Sequence, residues 1–548
     1  MIWLLKDFDL LSVLLRAASL SLEACTLGGL LFLLIAALPA ASNPGSLEHT
    51  RRIASRFAVA LALVQAASVG LSVAILMGGS GFTFPALVSA NFFVAGTLEI
   101  AGTLLLALLL RLRSPWSAYA ALLPAAVVLG ASVAQSHGAS RMEDRGLLMG
   151  FTALHHLGTA GWVGAMLFLL LALRTSLTLG EAQTLARRYS AMALVSVPLL
   201  VLAGVGMSWF YVGSWAGLYG TTYGVMVLAK TYLLLAMLLL GAGNYRLLRP
   251  KNLLPSVSGG SQAAHPQPFL LRLRRFSEAE IGLGITAILA AASLTSQPPA
   301  IDLQQDRLSM HEIVERMRPE PPLLTSPPVA QLSDPGNIQA AVESAQFSAG
   351  APSDASGRAW SEYNHHWAGL IVLACALLAF ASRALPRGRL RSLATNWPLL
   401  FIALAMFIVL RADAASWPLG PQPFWASFAF PDVLEHRLYA VLITCFAIFE
   451  WAVATGRWRS PRAAYVFPLL CAAGGAALLT HSHGLSNVKD EMLAELAHTP
   501  IAVMGATAGS ARWLQLRLPG TRAARIAGLL WPVCLALSGL FLLDYRES

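Results

Sequence analysis

Apolar segments long enough to cross a lipid bilayer recur along almost the whole sequence. A transmembrane helix needs about 20 predominantly apolar residues to span a hydrocarbon layer of about 30 Å. We count fourteen such segments, the first at 12–38 and the last at 524–543. Because backbone polar groups in lipid must be satisfied within each segment, the sequence predicts an all-α polytopic membrane bundle of about fourteen transmembrane helices.

The basic residues predict the orientation of these helices. Most of the 38 lysines and arginines fall in alternate loops, such as 111–113, 383–391 and 457–462. Short inward-facing loops carry an excess of Lys and Arg, so both termini are expected to face outward. The same distribution accounts for the net charge of +10 without a nucleic-acid partner.

A polar segment at 297–362, rich in proline and acidic residues, divides the chain into two membrane halves. We therefore predict an eight-span membrane domain at 1–296, a loosely ordered outward loop at 297–362 and a six-span membrane domain at 363–548. One short amphipathic helix is expected at 306–317, where Leu308, His311, Val314 and Met317 recur at helical spacing.

Histidines are concentrated toward one side of the predicted membrane. An imidazole in hydrocarbon must find a partner, and a hydrogen bond to a neighbouring helix would explain any single one of them. Ten of the twelve, however, lie on the outward side or in the outer half of a span: His137, His155, His156, His311, His365, His366, His436, His481, His483 and His498. Such a set favours a metal-binding function, since neutral imidazole ligates copper, zinc, nickel and haem iron.

The candidate metal ligands centre on His155 and His156, which lie well below the outer surface in their span. Adjacent helical residues differ by about 100°, so one of the two is expected to bind while the other packs. Met149 shares a face with His156, and thioether sulfur favours Cu(I). The further candidates, at the outward span ends, are His137, His365, His366, His436 (four residues after Asp432), His481, His483 and His498.

Three ionisable residues fall deep inside predicted spans of the first half: Glu23, Glu99 and Lys230. Intramembrane charges of this kind often mark an ion or proton pathway. The alternative is a Glu–Lys pair that holds helices together. Both readings are compatible with the sequence.

Three stretches resemble the copper resistance protein D (CopD) family of bacterial inner-membrane proteins: LHHLGTAGWVGAMLFLLLAL (154–173), VGSWAGLYGTTYGVMVLAKTYLLLAMLLLGAGNYR (212–246) and EAEIGLGITAILAAASLTSQPPA (278–300). The resemblance covers about residues 10–300, and the second half is similar to the C-terminal extension of longer members. It implies an inner-membrane copper transport protein, not an enzyme, with His155 and His156 as the family's histidine-containing span.

The resemblance also implies that copper arrives from the periplasmic side, with a separate periplasmic copper-binding β-sandwich protein and the lipid bilayer as partners. Two alternatives stay open at this point. The histidines would ligate haem b in a quinone-linked redox protein, or the chain would bind copper as a sensor or assembly factor without moving it. The sequence contains no ATP-binding motif, so a pump driven directly by ATP is not expected.

Overall fold

The structure, a computed structural model, describes residues 8–40, 44–175, 177–248, 268–328, 355–414, 416–429, 431–460, 462–479 and 488–546. Within these ranges twelve helices have the length and composition to cross a membrane. The prediction of an all-α polytopic bundle is therefore confirmed. The described residues form two compact units, Met1–Gly213 with Leu234–Ser296, and Ser214–Leu233 with Gln297–Ser548.

Two of the predicted spans lie outside these twelve. The span at 463–480 corresponds to a shorter apolar helix, Ala463–Leu478, and the span at 498–514 lies within the helix Val488–Arg517. The count of fourteen, the outward position of the termini and the three-domain division stay predictions.

The chain up to residue 296 forms thirteen α-helices within the described residues. In chain order they are α1 (Phe8–Phe32), α2 (Pro44–Gly79), α3 (Phe84–Val88), α4 (Asn91–Arg111), α5 (Pro115–Ala120), α6 (Leu122–Ala134), α7 (His137–Ser140), α8 (Arg145–Thr159), α9 (Ala165–Ala172), α10 (Leu179–Tyr211), α11 (Trp215–Tyr219), α12 (Thr222–Leu247) and α13 (Pro268–Leu294). Two π-helical segments, Leu33–Ala37 and Ala160–Gly164, extend α1 and join α8 to α9.

Helix α1 lies at the centre of the first unit. It packs against α2, α9, α13 and the π-helical segment Ala160–Gly164. Small residues allow this close approach: a Cβ added to Gly164 would lie 1.8 Å from the carbonyl oxygen of Ala24, and one added to Gly28 would lie 2.4 Å from that of Ala160. The small residues of the GTAGWVG stretch therefore bring two helix backbones into direct contact.

The remaining helices belong to the second unit, together with α11 and the first part of α12. They are α14 (Met310–Arg316), α15 (Ala355–Ala384), α16 (Arg389–Ala394), α17 (Leu399–Arg411), α18 (Pro431–Ala454), α19 (Val466–Leu478), α20 (Val488–Arg517) and α21 (Arg522–Leu543). The main packing pairs are α20 with α21, α19 with α20, and α15 with α21.

The described part of the predicted loop, 297–328, is more regular than its composition suggests. Leu308 is fully buried in an apolar cluster with Val225, Met492 and Leu493, and its N–H donates to the carbonyl of Gly220 over 2.9 Å. The short helix expected at 306–317 is present as α14, with a capping box between Ser309 and Glu312. Burial of one leucine thus anchors a segment whose polar composition predicted little order.

Candidate functional site: a buried carboxylate–histidine centre

Glu23 and His156 form a buried pair in the first unit. His156 Nδ1 lies 3.1 Å from Glu23 Oε1, and the two side chains are 15% and 3% exposed. Ser132 donates its hydroxyl to the other carboxylate oxygen, Oε2, over 2.7 Å. The pair joins residues 133 positions apart in the sequence.

Glu99 is connected to this pair through the end of α6. Gln135, one turn beyond Ser132, donates its amide to Glu99 Oε2 over 2.9 Å, and Gln65 donates to Gln135 Oε1 over 2.9 Å. The second oxygen of Glu99, Oε1, is buried without a hydrogen-bond partner. We call Glu23, Glu99, Ser132, Gln135 and His156 the outer polar centre, after the outward side of the bundle that the basic loops predict for it.

The backbone contact of α1 with the π-helical segment explains how the outer polar centre is assembled. Glu23 directly precedes Ala24, whose carbonyl lies against Gly164. His156 lies one turn before the π-helical segment, on α8. π-helical turns inside α-helices occur frequently at functional sites. The glycine-mediated contact therefore fixes the depth at which the carboxylate meets the imidazole.

The neighbouring His155 faces a different helix. Its Nδ1 lies 3.2 Å from the carbonyl oxygen of Leu200 on α10, and its ring lies close to Gly204, where a Cβ would come within 3.7 Å. The two adjacent rings therefore face different helices, and the expectation that one of them binds an ion stays a prediction. His156 is the member at the outer polar centre, and His155 contacts the backbone of α10.

The other first-half candidates lie around the N-terminal part of α8, the end that the basic loops predict to face outward. His137 begins α7, and its ring centroid is 6.5 Å from that of Tyr211. Met149 is partly buried on α8. A methionine that the sequence analysis did not select, Met207, places its sulfur 3.7 Å from the Thr152 hydroxyl. Two thioethers and one imidazole therefore lie on the side of His156 that faces the N-terminus of α8.

A third buried carboxylate of the first unit, Glu280 on α13, was missed by the sequence analysis. Trp162 Nε1 donates to its Oε1 over 2.7 Å, and Asn244 Nδ2 donates to its Oε2 over 3.1 Å. The amide oxygen of Asn244 is buried without a hydrogen-bond partner. Trp162 follows His156 by six residues, roughly 9 Å along the helix axis, so this cluster lies on the C-terminal side of His156, which the basic loops predict to be the inward side.

The second-half candidates divide between two places in the second unit. His366 is fully buried; its Nδ1 accepts from the N–H of Leu323 over 2.7 Å, and its Nε2 lies 3.1 Å from the carbonyl oxygen of Tyr545. His365 stacks on Tyr545 with ring centroids 3.8 Å apart, and the His498 ring lies 5.6 Å from that of His365. Backbone groups thus occupy both nitrogens of His366.

His436 pairs with an acid that the sequence spacing did not predict. Its Nδ1 lies 3.0 Å from Asp413 Oδ1, and the side chain of Asp432, the predicted partner, lies outside the described residues. His481 and His483 also lie outside them. In the part of the chain that the structure describes, no three His, Cys, Asp or Glu side chains are grouped to hold a metal ion.

Lys230 belongs to the second compact unit, on the first part of α12. The two acids that were predicted with it contact Ser132, Gln135 and His156 in the first unit. Of the predicted site residues, the structure therefore brings Glu23, Glu99 and His156 together.

Comparison with known proteins gives two matches. Residues 183–294 match the family model described as copper resistance protein D. Copper transport protein CutJ of Bacillus subtilis (strain 168) is 31% identical over 157 residues, which are 28% of this chain and 25% of that protein. The chain thus matches about a quarter of the length of this curated relative. No solved structure matches.

These matches confirm the resemblance to the CopD family. Together with the twelve membrane-length helices, they agree with a multi-pass inner-membrane protein that is similar to copper-related proteins over part of its length. The matched region contains Leu200, Asn244 and Glu280, whereas Glu23 and His156 precede it.

Proposed function

We propose that this protein carries copper ions across the membrane. The outer polar centre is the site at which the ion enters the helix bundle from the outward side. The observation that carries the proposal is the buried contact between Glu23 and His156. Burying a carboxylate in a lipid-spanning bundle is costly, so such a group is expected to have a function. The negative charge of the carboxylate would favour a cation that passes through the centre.

The contact leaves one imidazole nitrogen for the ion. Metal-binding histidines almost always donate their other ring N–H to a carboxylate or carbonyl, which fixes the ring and raises its basicity. In the proposed site His156 donates Nδ1–H to Glu23 and presents Nε2 to copper. Glu99 Oε1, which is buried without a hydrogen-bond partner, supplies an oxygen ligand, and Met149, Met207 and His137 would receive the ion further out.

A low coordination number suits a transported ion, because a site that must release its cargo cannot bind it too tightly. Glu280, inward of the outer polar centre, would receive the ion next, with the amide oxygen of Asn244 as a further oxygen ligand. We further propose inward transport and delivery by a separate periplasmic copper-binding protein. The histidines of the second unit and Lys230 stay predicted contributors to the route.

Two neighbouring histidines provide a matched test of this proposal. We expect His156→Ala to lower cellular copper accumulation roughly tenfold or more, because it removes the ligand itself. His155→Ala should retain most accumulation, since the His155 ring faces the α10 backbone and not Glu23, and a hydrogen bond of this kind is worth about 1 kcal/mol of stability. Copper is measured in cells that express equal amounts of each variant. Equal losses in both variants, or none in either, would contradict the assignment of His156.

A further inference from the structure

A cavity of about 470 Å³ lies in the second unit, where the ends of α15, α20 and α21 meet. Its lining includes Arg383, Gln515, Thr521, Arg525 and Leu529. The distribution of basic loops predicts that this end of the helices faces inward. No transport step proposed above uses this cavity.

Gln515, which lines the cavity, accepts three hydrogen bonds through its side-chain oxygen. Its side-chain oxygen accepts from Arg383 Nη2 over 3.1 Å, from Arg512 Nη1 over 2.8 Å and from Trp531 Nε1 over 2.9 Å. The amide nitrogen lies on the side of Gly528, where an added Cβ would come within 2.8 Å of Gln515 Nε2 and 3.2 Å of Arg383 Nη1. The absence of a side chain at Gly528 therefore leaves space in front of an amide and a guanidinium group.

The cavity carries positive charge that its own walls do not neutralise. Arg512 is paired with Glu450 at 2.6 Å. Arg383 is attracted by the same Glu450 carboxylate, hydrogen-bonds to the neutral Gln515 and lies over the ring of Trp531 at 4.7 Å. One carboxylate therefore serves two guanidinium groups, and Arg525 is exposed at the rim. No carboxylate is among the described residues that line the cavity. Two guanidinium groups thus face a space that an anion would fill.

We propose that this cavity binds the phosphate group of an anionic phospholipid. Guanidinium groups match phosphate oxygens in geometry and charge, and basic pockets between transmembrane helices at the inner face bind anionic head groups. The N-terminus of α21, capped by Thr521, adds a partial positive charge. Leu529 and Ile526 are each 58% exposed on the adjacent surface, which offers apolar contact to acyl chains and favours a lipid over free phosphate.

Native mass spectrometry of the purified full-length chain tests this site. We expect Arg383→Gln/Arg525→Gln to weaken binding of phosphatidylglycerol roughly tenfold or more. Arg522→Gln is the matched control: it removes the same charge from the first turn of α21 at an exposed residue that does not line the cavity. This control should change the affinity less than about twofold.

If loss of the Arg383–Trp531 contact unfolds the double variant, Arg525→Gln alone still tests the site, because Arg525 is exposed. We expect this single variant to lower the affinity for phosphatidylglycerol roughly threefold. Equal phosphatidylglycerol binding by the control and the cavity variants would overturn the proposal. So would equally tight binding of phosphatidylcholine by the unmodified chain. Displacement of the lipid by millimolar inorganic phosphate would assign the cavity to the free anion instead.

Discussion

Glu23→Gln is expected to reduce copper accumulation roughly tenfold or more while the protein still folds, because partners that orient a ligating histidine are worth about 10–100-fold in metal affinity. Glutamine has the shape of glutamate and still hydrogen-bonds to Ser132 and His156. It lacks the negative charge that compensates the cation. The effect should therefore appear in copper content and not in the yield of folded protein.

Glu48→Gln is the matched control for the lost charge. Glu48 lies on α2, 43% exposed, with ion pairs to Arg52 and Arg113. Exposed ion pairs of this kind contribute little to stability, so the copper accumulation of this variant should equal that of the unmodified protein. Copper per cell is measured at matched expression. Normal accumulation by Glu23→Gln would remove Glu23 from the route.

Gly164→Ala should destabilise the first unit by about 3 kcal/mol, since the new methyl group cannot be accommodated without backbone movement. Its Cβ would lie 1.8 Å from the carbonyl oxygen of Ala24 and 2.6 Å from the carbonyl carbon. Because both are backbone atoms, α1 must shift away from the π-helical segment. Copper accumulation should fall with stability, since Glu23 is carried on the part of α1 that moves.

Gly150→Ala serves as the control on the same membrane-spanning segment. An added Cβ at Gly150 meets nothing within 4 Å, and alanine is favoured over glycine inside a helix by roughly 0.5–1 kcal/mol. This variant should match or slightly exceed the thermal stability of the unmodified protein. Thermal unfolding of detergent-purified protein compares the two. A Gly164→Ala protein as stable as Gly150→Ala would disprove the tight contact between α1 and the π-helical segment.

The sequence determined the fold class because lipid leaves a spanning chain few options. Continuous apolar segments were sufficient to predict the helices. They were less informative about helix ends, as α13 shows. The basic residues Arg272, Arg274 and Arg275 predict a loop, with the span beginning at 278, whereas the helix begins at Pro268. Long basic side chains extend to the membrane surface from within a helix. Glu280 therefore lies inside the helix, although the sequence places it at the end of the span.

The site was only partly predictable from the sequence. The helical period predicts that His155 and His156 face different directions, but it does not say which neighbour each one meets. That choice depends on how α8 is rotated against α1 and α10. The contacts of Glu23 with His156 and of Gln135 with Glu99 link separate helices, so local spacing carries no signal for them. The same holds for His436, whose partner is Asp413.

The most direct test of the central claim is the metal content of the purified protein, measured together with its visible spectrum after loading with Cu(I). We predict a colourless protein that binds copper through nitrogen and oxygen or sulfur ligands, and a His156→Ala protein that has lost the copper held at the outer polar centre. Full copper binding by His156→Ala, or a red protein with the Soret band of bis-histidine haem, would contradict the account.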